Sequence, residues 1–231
     1  MKNLKNIAPD YWRIPHFNKE ISNMTHDDIS LDSPMLFPFE CYVQEKVDGA
    51  NMGISWNDGP ILRNRSHILK KGYIDRNTPA KLQFRPAWNW LHKHEKDIKL
   101  ISDICYSPIT VFGEWMYAEH SISYNLLPDL FLAYDIWSVE DSNFLSPDIV
   151  EDLLDKTSIK YIKSKKVIIN SIEDIIELSK MKSEYRDGLS EGIVIKTKDG
   201  RFVDKIFKVV NNHFKRREDF NTNLVKNIIK Y

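Results

Sequence analysis

The chain has 231 residues, is 42% hydrophobic and 12% aromatic with 6 Trp, and carries a formal net charge of +0. That composition excludes a disordered or low-complexity chain, and the length allows a sizeable core without disulfides or a structural metal. A binder that attracts polyanions through a basic total is also excluded, so any nucleic-acid contact must come from local patches.

The first 38 residues are broken by Pro9, Pro15, Pro34 and Pro38, which rules out a long element there. Their aromatic side chains, Tyr11, Trp12, Phe17 and Phe37, suit an extension packed on a body. No apolar segment of a secretory signal opens the chain, and no apolar run approaches the roughly 18 residues that suggest a membrane span. Cys41 and Cys105 lack metal-ligand spacing, which fits a reducing, cytoplasmic setting.

From Cys41 the pattern becomes β-rich: "CYVQEK", then "NMGISW", then "ILRNRS" after the Asn57-Asp58-Gly59-Pro60 turn. Asp-Gly is a hairpin signal. Residues 79–96 read as a helix with Leu82, Trp88 and Leu91 on one apolar side. "ITVFGEWMY" and "DLFLAYDIW" read as strands. Ser146-Pro147 opens a helix with an N-cap and a proline at its first position. Ser171 with Asp174 three residues later opens another. "EGIVIK" and "RFVDKIFKVV" are the last strands, joined at a Lys198-Asp199-Gly200 turn. The fold class is therefore α+β, with mostly antiparallel sheets and flanking helices in a single domain over 1–231.

The chemistry begins at Lys46-Val47-Asp48-Gly49. An amine is a nucleophile only when deprotonated, and lysine shifts readily on burial or beside a cation. A following glycine lets the chain pass close to a ligand. Read alone, the tetrapeptide equally describes a surface lysine before a turn. Four later segments follow it in order: "RNRSH" at 63–67, "FGEW" at 112–115 with "FLAYDIW" at 131–137, "SEGIVIK" at 190–196, and "KIFKVVNNHF" at 205–214.

Together these segments, from Tyr42 to Phe214, resemble the covalent nucleotidyltransferase superfamily, and within it the ATP-dependent RNA ligases of the phage RNA ligase 2 type. The resemblance implies a nucleotidyltransferase (ATP-grasp-like ligase) domain that forms a lysyl-AMP on Lys46. It implies that Glu45, Asp48, Gly49 and Asn51 surround the nucleotide, and that Arg65, preferred over Arg63, reaches the ribose and the nucleic-acid end. Glu114 would take a ribose hydroxyl or a metal, and Tyr134, where many relatives have Phe, would stack on adenine. Glu191 would hold Mg²⁺ (or Mn²⁺), and Lys196 would face either phosphate or solvent. The family's paired lysines are imperfect here. Lys205 and Lys208 fall on opposite faces of a regular strand unless a bulge intervenes, Lys208 aligns better, and Val210 stands where a second lysine is common.

The histidines form no competing site. His92 and His94 are two apart on the expected helix, the wrong spacing for one face, and His16, His26, His67, His120 and His213 are scattered, with His67 beside Arg65 placed to approach the substrate. The short stretch after Lys208 leaves no room for an OB-fold, so an accessory protein would stand in for a C-terminal domain. The expected substrate is RNA, as a nicked duplex or broken ends with 5′-phosphate and 3′-hydroxyl. It would be held through Arg63, Arg65, Lys70 and Lys71, with Lys215, Arg216 and Arg217, and Lys160, Lys163, Lys165 and Lys166, as two further groups that also read as solvated faces, the 160–166 group more as a solvated face than as a contact. The alternatives are a DNA ligase, a GTP-dependent mRNA capping guanylyltransferase, and a non-catalytic RNA- or nucleotide-binding relative.

Overall fold

The computed structural model describes residues 8–31, 35–71, 82–215 and 224–230. Its strands form two antiparallel sheets. The first holds β1 (Phe39–Lys46), β7 (Ser164–Ile169), β8 (Gly192–Asp199) and β9 (Phe202–Val210) in the order β7-β1-β8-β9. The second holds β2 (Ala50–Trp56), β3 (Pro60–Asn64), β4 (Ile109–Trp115), β5 (Phe131–Ser138) and β6 (Asn143–Phe144) in the order β3-β2-β4-β5-β6.

Both hairpin turns form where the sequence puts them. Asp58 and Gly59 take φ of 54° and 147°, and Gly200 takes 56°. That left-handed region is open to glycine and tolerated by aspartate.

Among the described residues three helices cover these sheets. α1 spans Ala87–Cys105, α2 Pro147–Leu154 and α3 Ile172–Ser179. α1 corrects the expected helix over 79–96. It begins after Pro86, because proline has no N–H to give to a preceding turn and belongs at a helix start. It then runs on through Ile98 and Ile101, which continue the buried stripe of Ala87, Trp90 and Leu91. Leu82 and Trp88 are only partly buried, and residues 79–81 lie outside the described residues. Ser146 and Ser171 precede α2 and α3 as expected, but neither side chain caps its helix. Asp174 instead accepts from the backbone N–H of Asn170 at 2.8 Å.

The larger core lies between the second sheet, α1 and α2, around Ile54, Leu91, Val111, Trp115, Phe131 and Leu153. Each such fully buried side chain contributes about 1.5–3 kcal/mol by leaving water. The first sheet packs Val43, Ile193, Ile195, Phe207 and Val209 against Ile175 of α3 and Phe17 of the N-terminal segment. Among the described residues no helix is long and apolar enough to cross a membrane.

Candidate active site

The two sheets bound a cleft of about 850 Å³. β1 ends at Lys46 in the first sheet and β2 starts at Ala50 in the second. Val47-Asp48-Gly49 is thus the crossing from one wall to the other, which is why polar and small residues interrupt an apolar strand pattern. A Cβ on Gly49 would sit 2.8 Å from the Trp115 carbonyl oxygen and 2.9 Å from Glu114. That close approach to β4 by itself requires glycine here, and Gly49 also lines the cleft. Asp48 fastens the crossing: its Oδ2 accepts from the N–H groups of Ser121 (2.6 Å) and Ile122 (3.2 Å), while its own N–H donates to Tyr124 Oη at 2.8 Å.

Strand register then assembles the site. Lys46 pairs with Gly192 of β8, so Glu191 stands beside it, and Lys46 Nζ donates to Glu191 Oε2 at 2.5 Å. Asn51 of β2 pairs with Glu114 of β4, and Glu114 Oε1 accepts from the Gly49 N–H at 3.1 Å. Between β4 and β5 the register steps from Phe112 opposite Asp135 to Gly113 opposite Ala133, leaving Tyr134 as the extra residue of a β-bulge. A bulge re-aims a side chain, and Tyr134 here lines the cleft and accepts at Oη from Asn51 Nδ2 at 2.6 Å. Asn51 Oδ1 is buried and has no donor among the described residues.

The electrostatics follow from crowding acids around one amine. Burial opposes the charged form of Lys46, but the carboxylates of Glu191 and Glu114 outweigh it and hold the amine above its ordinary pKa. Burial, opposed by Lys46 and reinforced by Glu191, pushes Glu114 up to about 8. Burial likewise pushes Glu191 up to about 7 against the pull of Lys46. The reactive, deprotonated lysine pictured from sequence is therefore not the resting state. Buried carboxylates this close disfavour joint ionisation, and a divalent cation would relieve them.

The remaining sequence candidates divide. Lys208 of β9 lines the cleft, whereas Lys205 is exposed with Nζ 3.9 Å from Met35 Sδ. A bulge does intervene opposite Lys196 and Lys198, yet it does not bring Lys205 inward. Arg65 is exposed at the cleft mouth. Arg63, the less favoured of the two arginine candidates, does not line the cleft. It is buried, its guanidinium bonded to the Ala8 carbonyl oxygen at 2.5 Å and to the Asp10 carboxylate. Glu45 lines the cleft, but both its oxygens are engaged, by Ser183 Oγ at 2.5 Å and the Glu184 N–H at 2.8 Å; burial raises its pKa.

Lys196 is the clearest correction. It lines the cleft but does not face solvent, being 1% exposed. Its Nζ donates to Gln44 Oε1 (2.6 Å), the Tyr134 carbonyl oxygen (3.0 Å) and Asp135 Oδ1 (2.7 Å). These contacts tie β8 and β1 of one sheet to β5 of the other beneath the cleft. The sequence reading passed over Gln44 and Asp135. The available signal was a polar residue set in an otherwise apolar strand, which demands a buried partner. His120, dismissed as scattered, lines the cleft, with its ring 3.0 Å from Gln83 Oε1. His67 is exposed and outside the cleft lining. Lys70, Lys71, Lys160, Lys163, Lys165, Lys166 and Lys215 are exposed, and Arg216 and Arg217 lie outside the described residues.

A cleft that gathers a half-buried amine, one buried and one half-buried carboxylate, a second ammonium and an aromatic face has the equipment to grip a polyphosphate and bring a nucleophile to it. The sequence pattern of the RNA ligase family matches residues 39–210, and the chain belongs to that family. No curated protein matches the chain. Among solved structures it is similar to Naegleria gruberi RNA ligase. An alanine variant with ATP and Mn shares 16% identity at a TM-score of 0.55, covering 75% of this chain and 49% of that one. A methionine variant with AMP and Mn shares 17% at 0.55, covering 75% and 50%. The ligase with PPi shares 20% at 0.57, again covering 75% and 50%. At such identities the likeness shows the fold, and the chain spans about half the length of these structures.

Proposed function

We propose that this chain is the adenylating module of an ATP-dependent RNA ligase. The observation that carries the reading is the convergence of Lys46, Asn51, Glu114, Tyr134, Glu191 and Lys208 on one cleft, in a chain of the RNA ligase family.

The reaction starts from a Lys46 amine held protonated by Glu191. Attack requires that Glu191 be drawn to other cationic partners and that the Nζ proton leave. Lys46 Nζ then forms a P–N bond to the α-phosphorus of ATP, and pyrophosphate departs. The Lys208 ammonium neutralises charge that builds on the α-phosphate oxygens, an effect strengthened by exclusion of water. The Tyr134 ring takes the adenine face, and the unpartnered Asn51 Oδ1 accepts from the nucleotide. Arg65 at the mouth meets the ribose or the RNA end. The AMP then passes to a 5′-phosphate of RNA, and a neighbouring 3′-hydroxyl displaces it to seal the strand.

Glu114 and Glu191 both line the cleft and offer the hard oxygen donors that a Mg²⁺ or Mn²⁺ ion takes. Among the described residues no group of three or more His, Cys, Asp or Glu could hold a metal, so phosphate oxygens and water would complete the shell, as Mg²⁺ prefers. When bound, the ion supplies positive charge to the triphosphate.

The test is incubation with α-labelled ATP or GTP and Mg²⁺, followed by a denaturing gel. The expected result is protein-bound label from ATP that disappears in Lys46→Ala. Label from GTP alone would favour a capping enzyme, and no label at all would overturn the catalytic reading. Nicked RNA and DNA duplexes then decide the joining substrate.

A further inference from the structure

The family match begins at residue 39, yet residues ahead of it reach the cleft. Tyr11, Trp12, Arg13, Ile14, Thr25, Asp27 and Asp28 all line it. The segment 8–31 is fastened to both sheets. On the second sheet, Arg63 of β3 holds Ala8 and Asp10. Tyr11 Oη donates to Asp135 Oδ2 of β5 at 2.6 Å, and Trp12 lies edge-on to Phe144 at 4.8 Å. On the first sheet, the segment runs along the edge of β9. The Lys208 N–H donates to the Pro15 carbonyl oxygen and the Phe17 N–H to the Lys208 carbonyl oxygen, both at 2.9 Å. Two residues on, the Val210 N–H donates to Ser22 Oγ at 2.9 Å and the Asn23 N–H to the Val210 carbonyl oxygen at 2.8 Å.

Two of these attachments fall on residues to which the proposed reaction gives a direct part. The Tyr11 ring packs edge-on to Tyr134 at 5.4 Å, and its hydroxyl binds the residue next to Tyr134. Lys208 has its backbone bonded on both sides by the segment, and its Nζ lies 3.9 Å from Asp28 Oδ1. Asp28 is itself fixed, its Oδ2 accepting from the N–H and hydroxyl of Thr25, each at 2.9 Å.

We propose that residues 8–31 form a third wall of the nucleotide cleft and position two of its working side chains, Tyr11 setting the Tyr134 ring and Asp28 the Lys208 ammonium. This rests on the ligase reading above. The physical need is specific to this chain. With Val210 in place of a second lysine, one ammonium serves the α-phosphate from β9. A lone long side chain at a sheet edge is held in a productive rotamer only by what packs beside it. The segment also spans from β5 to β9, so it fixes the spacing of the walls that carry the aromatic face and the cation.

The experiment uses the full chain and follows single-turnover formation of the covalent AMP adduct across ATP concentrations. Three quantities are separated: the limiting rate, the ATP concentration at half-rate, and the amplitude. Tyr11→Ala is expected to raise the half-rate concentration about 2–10-fold, the range that an aromatic pair contributes, with the limiting rate little changed. Tyr11→Phe, which keeps the ring, recovers most of that loss. Asp28→Asn is expected to slow the limiting rate roughly tenfold, since small misplacements of a charge-bearing group are costly, with the half-rate concentration little changed. If Tyr11→Ala and Asp28→Asn keep wild-type constants, or lose only amplitude as a merely structural defect would, the proposal is overturned. Absence of adduct in the wild-type chain would remove the ligase reading, and the positioning role with it, and is distinguishable because no variant is needed to see it.

Discussion

Replacing Lys196 by methionine removes the ammonium that joins the two sheets while keeping an unbranched, similarly long side chain. Three acceptors lose their donor: Gln44 Oε1, the Tyr134 carbonyl oxygen and Asp135 Oδ1. Lys196 and Asp135 are each 1% exposed, so water cannot replace what is lost. Asp135 keeps only the Tyr11 hydroxyl among the hydrogen bonds described here. Breaking a buried ion pair from one side typically costs about 3–5 kcal/mol because the remaining charge is left uncompensated. With a urea m-value of about 2–3 kcal/mol/M, the midpoint of unfolding followed by tryptophan fluorescence should fall by more than about 1 M. The double variant Lys196→Met/Asp135→Asn should lose less than the sum of its parts, by about 1–3 kcal/mol of coupling. A single-variant loss below about 1 kcal/mol, or strict additivity, would refute the view that this pair pins the walls of the cleft.

Three further outcomes are expected. His16 is buried against Ser22, Asp28 and Lys208, and burial with the nearby cations Lys208 and Lys46 lowers it from 6.5 to about 4. The unfolded chain then binds the extra proton between these values, so stability rises with pH through this window and is lost as pH falls from 6.5 towards 4. His16→Gln should flatten that dependence in urea titrations at pH 7.5 and pH 5. Lys208→Ala should slow covalent labelling by about 10²-fold or more, as loss of a preorganised charge does, while Lys205→Ala labels at the wild-type rate. Gly192→Ala should destabilise by about 1–3 kcal/mol through overpacking, because its Cβ would run into the Val209 carbonyl oxygen of the neighbouring strand. A melting temperature unchanged within a degree would contradict it.

Much of the site could be read from the chain because its residues belong to short local patterns. Lys46, Asp48 and Gly49 lie at or in one crossing, Glu114 and Tyr134 sit in strands whose apolar neighbours announce them, and Glu191 immediately precedes another. The alternation of a strand put Lys205 and Lys208 on opposite faces, and the family resemblance preferred Lys208. What failed were roles that depend on partners far along the chain. Lys196 ends an ordinary strand motif, and only the pairing of two sheets puts Asp135 and Gln44 around its amine. Arg63 looked like its neighbour Arg65 until the N-terminal segment folded onto it. The helix over 79–96 was displaced because periodicity within a window gave too little weight to Pro86.

The sequence by itself determined most of the strands, the turns at Asp58-Gly59 and Gly200, and the identity of the family, since these rest on local backbone preference and on the order of motifs. Tertiary structure alone decided which polar groups are spent inside the fold and which are left to work. Glu45, Arg63 and Lys196 are bound by distant residues, whereas Asn51 Oδ1 and the Tyr134 ring face the cleft. The physical reason is that a buried polar group must find its partner through space, and a one-dimensional pattern carries no record of where that partner will be. The same holds for the segment 8–31, whose prolines mark it as irregular but whose place beside Tyr134 and Lys208 is set by the edge of β9.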